Sequence, residues 1–227
     1  MHIPDGFLSP EVAAGTAVAA SGAVAIGLHR AGTRLDDRVV PLLGVTGAFV
    51  FAAQMLNFPV AGGTSGHFLG AALATVLLGP WLACLVLAVV LVIQCFVFAD
   101  GGVSALGANV ACMGVAGALA TGGLMTLARR VLPQRRAVLL GVAGAGAWLA
   151  VVAGAAATAA LLALSGTVPL GTVLPAMLGV HVVIGLGEAA ITVAALSALM
   201  ATRPDLIGGW APRDAPRPPV RAIPQGA

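Results

Sequence analysis

The sequence predicts an all-α polytopic membrane protein, a bundle of about seven transmembrane helices with its N-terminus outside and its C-terminus in the cytoplasm. Hydrophobic residues make up 59% of the 227 residues, and only 8% are charged. The mean hydropathy is +1.05. A soluble domain has about 25% charged residues. A chain this apolar must satisfy its backbone within lipid, which favours transmembrane helices.

Seven apolar segments follow one another along the chain. The first, 10–28, would form a helix about 28 Å long, enough to cross the hydrocarbon core. The others are predicted at 39–56, 66–79, 81–98, 105–128, 137–164 and 172–200. The third is short and ends at Gly79-Pro80, so 66–98 is either two spans or a re-entrant segment followed by one span.

The basic residues give the orientation. With the N-terminus outside and the spans alternating, all 11 basic residues fall on the inner side, in 29–38, 129–136 and the tail. Cytoplasmic loops are enriched in Arg and Lys, so a multi-pass protein of the cell or inner membrane is predicted. Residues 1–201 would form the membrane domain, and the Pro- and Arg-rich tail 202–227 is predicted to be disordered.

Charge and cysteine usage exclude other classes of function. The net charge of +3 does not indicate nucleic-acid binding, because the basic residues lie at helix ends as orientation signals do. Cys84, Cys95 and Cys112 match no zinc or disulfide spacing and are predicted to be small buried hydrophobes. The start lacks a basic n-region, so no cleavable signal peptide is predicted, and the Met1 amine is expected to be retained.

The first two residues can form a metal chelate. The Met1 amine, the His2 amide nitrogen and His2 Nδ1 would close a five-membered and a six-membered ring on one cation. A planar set of nitrogen ligands suits Ni(II) and Cu(II). The predicted orientation places this chelate at the outer mouth of the bundle.

His67 is the candidate for the fourth ligand. Three nitrogens from the N-terminus leave one position of a square plane open, and His67 lies on the same membrane face. Glycines on both sides of it, such as Gly66 and Gly70, let the backbone approach another segment closely. By contrast, His29 beside Arg30 is interpreted as an interfacial residue.

Four polar residues are candidates to support the ligands. Metal-bound imidazoles usually donate their other N–H group to a nearby acceptor. Asp5, Ser65, Asp100 and Asn109 lie at a suitable depth for this role. The sequence does not choose among them.

Glu188 is the only acidic residue well inside a predicted span, and an intramembrane ionisable group indicates a functional role. His181 lies seven residues earlier, near the same helical face. Two interpretations stay open. Glu188 either pairs with a neighbouring polar group and holds helices together, or it forms with His181 a proton relay of an ion-coupled secondary transporter or an intramembrane enzyme.

Five short motifs occur together: Met1-His2-Ile3-Pro4-Asp5-Gly6-Phe7-Leu8, Gly63-Thr64-Ser65-Gly66-His67, Gly79-Pro80-Trp81, Ala105-Leu106-Gly107-Ala108-Asn109 and the segment 181–188. They resemble the CbiM/NikM family, the substrate-binding S components of cobalt and nickel energy-coupling factor (ECF) transporters. The resemblance covers about residues 1–200. It implies seven helices and an outer metal held by the Met1 amine, the His2 amide and imidazole nitrogens and the His67 imidazole.

The resemblance also implies import driven by partners: a transmembrane coupling (T) subunit and two cytoplasmic ATPase subunits. The chain has no G-x-x-x-x-G-K-[ST] P-loop, so a transporter subunit rather than an enzyme is expected, with the metal as substrate and no organic cofactor. Many nickel-type members carry a fused second membrane region. Any such small accessory subunit would be a separate polypeptide here.

The same resemblance bears on the metal. Cobalt-type members resemble one another around a Ser-His-Pro-Thr-Gly stretch. The corresponding segment here is Ser65-Gly66-His67-Phe68-Leu69, closer to the nickel-type form. Ni(II) is therefore favoured, and a Co(II) importer component for cobalamin synthesis is the alternative.

Overall fold

The computed structural model describes residues 1–32, 39–60 and 65–207, with the backbone alone for 57–59. In these ranges the chain forms seven α-helices and one short hairpin. The helices are α1 (Pro10–Ala31), α2 (Val39–Gln54), α3 (Ala71–Leu78), α4 (Pro80–Phe98), α5 (Leu106–Val131), α6 (Arg136–Leu164) and α7 (Leu170–Thr202). The antiparallel strands β1 (Asn57–Pro59) and β2 (Ser65–His67) pair Asn57 with His67. Within α5, Val110–Ala116 is π-helical.

The predicted all-α membrane fold is confirmed. Five helices, α1 and α4 to α7, are long and apolar enough to cross a membrane, and α2 is a shorter apolar helix of 16 residues. Each of these six helices coincides with a predicted span. Beyond α7, Pro204–Leu206 forms a 3-10 turn. The rest of the predicted disordered tail, from 208 onward, lies outside the described residues.

The third predicted span, 66–79, is not a continuous helix. The chain is extended through β2, turns at Gly70 with φ +75°, and only then forms α3, which has eight residues. Eight residues make a helix about 12 Å long, less than half of the hydrocarbon core. The interruption leaves His67 on extended backbone rather than on a helix.

Local sequence sets the helix ends that border the N-terminus. Ser9 caps α1 by accepting a hydrogen bond from the Val12 N–H, and Pro10 at the first helical position needs no partner for its nitrogen. The second such helix end is that of α4, which ends at Phe98 and is followed by Ala99 with φ +53°. This left-handed residue turns the chain so that Asp100 and Gly101 lie beside His2.

Basic residues and the N-terminus lie at opposite ends of the bundle. The Arg30 guanidinium stacks over Trp81, 4.8 Å from the ring centroid, and Arg129 borders a pocket formed with Gly79 and Pro80. These residues surround the start of α4, whereas Asp100 beside His2 follows its end. The positive-inside rule therefore assigns the Met1 end to the outer face.

Small residues allow α1 and α5 to pack closely. A Cβ added at Gly107 would lie 2.4 Å from the Cα of Ala17, so the two backbones touch. Small residues at such contacts are typical of transmembrane helix packing. The contact fixes the start of α5, from which Asn109 reaches the N-terminal segment.

We expect Gly107→Ala to destabilise the protein by about 1–3 kcal/mol or more, because backbone atoms of α1 would have to move. Gly123→Ala, also in α5, is the matched control, since a Cβ there meets nothing within 4 Å. Thermal unfolding of the two purified variants in detergent measures the difference. Equal unfolding midpoints would contradict the close α1–α5 packing.

Candidate metal site

The first three residues are buried in the outer mouth of the bundle. Met1 and Ile3 are 0% exposed and His2 is 5% exposed. The Ile3 N–H donates to Asn109 Oδ1 at 2.8 Å, and Asn109 Nδ2 donates back to the Ile3 carbonyl at 3.1 Å. The Gly102 N–H donates to the same carbonyl at 2.9 Å. The N-terminus is therefore held by the α4–α5 loop and the start of α5.

Asp5 fastens the following turn. Its carboxylate accepts hydrogen bonds from the Val103 N–H at 3.2 Å, the Ser104 N–H at 2.8 Å and the Ser104 hydroxyl at 2.6 Å. The Ser104 hydrogen bonds lower the pKa of this carboxyl group. Gly102 has no room for a side chain, since a Cβ would lie 2.3 Å from the Asp5 nitrogen. Asp5 thus anchors the segment and contacts neither imidazole through these bonds.

The Met1 amine is held by Ser65. It donates to the Ser65 carbonyl and, at 3.0 Å, to the Ser65 hydroxyl. Burial lowers the pKa of the amine to about 4, against the opposing charge of Asp100. The amine is therefore neutral at neutral pH, with a lone pair for a cation. The Met1 thioether packs beside Gly154 of α6, where an added Cβ would lie 3.4 Å from Sδ.

His2 presents Nδ1 as a free donor atom. Its Nε2 lies 3.0 Å from Gln94 Oε1, and because a carbonyl oxygen only accepts, Nε2 carries the hydrogen. Nδ1 then has a lone pair; it makes no hydrogen bond and lies 3.2 Å from Asp100 Oδ1. Burial, reinforced by the neighbouring amine, lowers the pKa of His2 to about 4, so the ring is neutral and able to bind a metal.

His67 also has one bonded and one unpartnered ring nitrogen, but the two nitrogens have exchanged roles relative to His2. Its Nδ1 lies 2.7 Å from the Phe68 carbonyl, which fixes the hydrogen on Nδ1, and its buried Nε2 has no partner. The His2 and His67 rings are nearly parallel, with planes 27° and centroids 4.7 Å apart. Burial first, then the Met1 amine and His2, keep the pKa of His67 well below its usual range.

Glu188 holds the backbone that follows His67. Its two carboxylate oxygens accept the Leu69 N–H at 2.6 Å and the Gly70 N–H at 2.7 Å. From α2, Gln54 Nε2 donates to the Leu69 carbonyl at 2.7 Å. Both oxygens of Glu188 are thus engaged by main chain, which favours the interpretation that it joins elements of the fold over that of a proton relay.

His181 lies on the same side of α7, fully buried. Its Nδ1 is 2.7 Å from the Met177 carbonyl and its Nε2 has no hydrogen-bond partner. The imidazole is within electrostatic range of the Met1 amine. His181 therefore borders the site from α7, while Glu188 lies two helical turns further along.

The structure thus gathers Met1, His2, Ser65, His67, Asp100, Asn109 and His181 at one place, with Asp5 and Glu188 fastening its edges. Sequence reasoning assigned no role to Gln54, Gln94, Gly102, Ser104 or Thr167, whose hydroxyl donates to the Phe7 carbonyl. For the two glutamines a signal existed, because an uncharged polar side chain inside an apolar span must find a partner. The loop residues offered no comparable signal.

The side chains alone do not form a metal site of the usual kind, with three or more side-chain ligands. Within the described part of the chain, no three His, Cys, Asp or Glu side chains converge as a metal cluster. What the site offers instead is nitrogen donors: Nδ1 of His2 and Nε2 of His67, both without a hydrogen-bond partner, and the main-chain nitrogens of Met1 and His2. Such nitrogen ligands suit Ni(II), Cu(II), Co(II) and Zn(II) rather than Mg(II) or Ca(II).

Comparison with known proteins gives one family. The family model CbiM, "Cobalt uptake substrate-specific transmembrane region", matches residues 2–206. The fused nickel transport protein NikMN of Rhodobacter capsulatus is 35% identical over 98% of this chain and 67% of its own length. The cobalt transport protein CbiM of Sorangium cellulosum is 37% identical over 91% of this chain and 94% of its own length.

A solved structure shares the fold. The crystal structure of a truncated transition metal transporter superposes with a TM-score of 0.82 at 31% identity, covering 88% of this chain and 99% of that one.

Replacing Glu188 by Gln should loosen the segment after His67, because the amide NH₂ group cannot accept the second main-chain N–H. We expect amide hydrogen exchange at 66–70 to accelerate roughly tenfold, equivalent to about 1.4 kcal/mol, as measured by mass spectrometry. Thr192→Val is the matched control, since the buried Thr192 hydroxyl on the same helix makes no hydrogen bond. Unchanged protection in Glu188→Gln would count against the tether.

Proposed function

The chain belongs to the CbiM family of cobalt-uptake substrate-specific transmembrane regions, and we propose that it is the substrate-binding membrane component of an importer for Ni(II) or Co(II). The observation that carries this proposal is the pair of buried imidazoles, His2 and His67. Each has one nitrogen tied to a carbonyl oxygen and the other left without a partner beside the Met1 amine. Buried polar atoms without partners are rare, and a cation supplies the missing partner.

We propose that the ligands are the Met1 amine, the His2 amide nitrogen, His2 Nδ1 and His67 Nε2. The amine and both imidazoles are neutral at neutral pH by virtue of their burial, so the amide proton is the one that binding must release. Gln94 and the Phe68 carbonyl hold the rings by their other nitrogens, as neighbours of metal-bound histidines commonly do. Ser65, Asn109 and Asp5 fix the segment that carries the first three donors.

Ni(II) is the favoured substrate, with Co(II) as the alternative. Four nitrogens in a plane suit the tetragonal preference of Ni(II). The relatives named above include both a nickel and a cobalt transport protein, which supports either metal. Cu(II) should bind at least as tightly by the Irving–Williams order, so selectivity in cells would depend on metal availability and on the transport step.

Energy for import would come from partners. The chain has no P-loop for ATP, and we propose that a transmembrane coupling subunit and two cytoplasmic ATPase subunits complete an ECF importer. This chain spans 67% of the length of the fused relative, and a small accessory membrane subunit is a further proposed partner. Docking of the ATPase-linked subunits would occur at the arginine-bearing end of the bundle.

A Gly-Ser extension before Met1 tests the chelate directly. It turns the Met1 amine into an amide and moves the free amine away from Ser65, so the tridentate chelate is lost. Two residues are added because one alone would place His in third position, where the N-terminus again offers Ni(II) a planar set of nitrogens. We expect Ni(II) affinity to fall at least a hundredfold, about 2.7 kcal/mol or more, in isothermal titration of the detergent-purified protein. A C-terminally tagged chain with its native start is the control. Equal affinity of the two chains would falsify the N-terminal site.

His67→Ala tests the fourth ligand separately. Removing one imidazole from the plane should weaken Ni(II) binding by roughly tenfold to a hundredfold and change the absorption spectrum of the bound metal. His29→Ala is the control, because His29 is exposed at the opposite end of the bundle. If both variants bind with the affinity and spectrum of the parent chain, His67 is not a ligand.

A further inference from the structure

Asp100 is the acidic group through which the site reaches solvent. Its side chain is 19% exposed, compared with 3% for that of His2, and Met1 and His67 are completely buried. Asp100 follows the end of α4 at the outer mouth. The Asp100 carboxylate is therefore partly open to the outer solution, whereas the side chains of the proposed ligands beside it are buried.

The carboxylate is also directed at a ligand atom. Asp100 Oδ1 lies 3.2 Å from Nδ1 of His2, and Nδ1 is the nitrogen left bare when Nε2 donates to Gln94. Two atoms with lone pairs therefore face each other across a short gap. Such a pair is stabilised when a cation lies between or beside the two atoms.

The backbone holds Asp100 in this place. Its N–H donates to the Gln94 carbonyl at 3.0 Å, so the residue that orients His2 also anchors Asp100. The flanking residues Ala99 and Gly101 both have positive φ, +53° and +95°, and a Cβ at Gly101 would come within 3.4 Å of the His2 ring. The tight turn leaves Asp100 close to His2.

The charges of the proposed complex lead to the same residue. A divalent cation bound to one deprotonated amide and three neutral nitrogens keeps a single positive charge. A buried charge without a partner is strongly unfavourable. Asp100 is the carboxylate that the structure places beside the proposed ligands, with Oδ1 3.2 Å from Nδ1 of His2.

We propose that Asp100 is the first contact of the incoming divalent cation and its charge partner after binding, and that it sets the rate of capture. This inference rests on the proposed N-terminal chelate. It adds a step to it, in which the cation passes from a partly hydrated carboxylate contact to Nδ1 of His2 and then into the plane of nitrogens.

Rapid mixing of the full chain, purified in detergent with its native start, with NiCl₂ at several NaCl concentrations tests the proposal. We expect Asp100→Asn to bind Ni(II) roughly tenfold more slowly or worse, with a flatter dependence on salt, because a charge at the rim acts mainly on association. Asp100→Glu keeps the charge and should regain most of the rate. Glu11→Gln, an exposed acid in the first turn of α1 at the same end, is the matched control and should stay within about twofold of the parent rate.

Two results would overturn the proposal. One is an unchanged association rate in Asp100→Asn together with faster dissociation and a lower unfolding midpoint, which would make Asp100 a structural residue only. The other is a loss of association rate in Asp100→Glu equal to that in Asp100→Asn. If the proposed N-terminal chelate itself is wrong, the result is different. The N-terminally extended chain would then bind Ni(II) with the affinity of the native chain, whichever residue occupies position 100.

Discussion

The structure depends on the burial of a free N-terminus. A charged amine is strongly disfavoured in a buried position, and here burial lowers the pKa of the Met1 amine to about 4. The neutral amine still donates hydrogen bonds to Ser65. The surrounding features accommodate this buried segment: Asn109 pairs with both main-chain polar groups of Ile3, and the Gly101-Gly102 turn leaves room for residues 2–5.

The interruption of the third predicted span also helps to bury the Met1 amine. Non-helical backbone at membrane depth is tolerated where it is buried in protein and its polar groups find partners. Between β2 and α3 those partners come from distant helices, Glu188 on α7 and Gln54 on α2. In a continuous helix the Ser65 carbonyl would accept a hydrogen bond from a main-chain N–H group of the next helical turn. The break frees that carbonyl for the Met1 amine and brings His67 next to His2.

Hydropathy predicted six of the seven helices because each is a long apolar segment whose ends are marked by charged residues, Gly or Pro. For 66–98 it left two spans or a re-entrant segment plus one span open, and the extended backbone followed by the eight-residue α3 favours the second. Hydropathy could not decide, because the hydrogen bonds that the Leu69 and Gly70 N–H groups donate to Glu188 join residues more than a hundred positions apart and leave no local trace. That Met1, His2 and His67 lie together could be predicted, since residue type and membrane side suffice. The roles of Gln94 and Gly102 could not, because they follow from the path of the N-terminal segment through the fold.

In the proposed site, two of the four ligand atoms belong to the main chain of the first two residues. Side-chain substitution cannot replace a main-chain nitrogen, so the metal preference of such a site must be tuned by what surrounds the plane. Gln94 and the Phe68 carbonyl set which imidazole nitrogen is bare and how each ring is turned, and Asp100 sets the charge beside His2. Hydrogen bonds within the protein hold these groups in place, and preorganisation of this kind favours affinity. Relatives that take different metals should therefore differ around the plane more than in it.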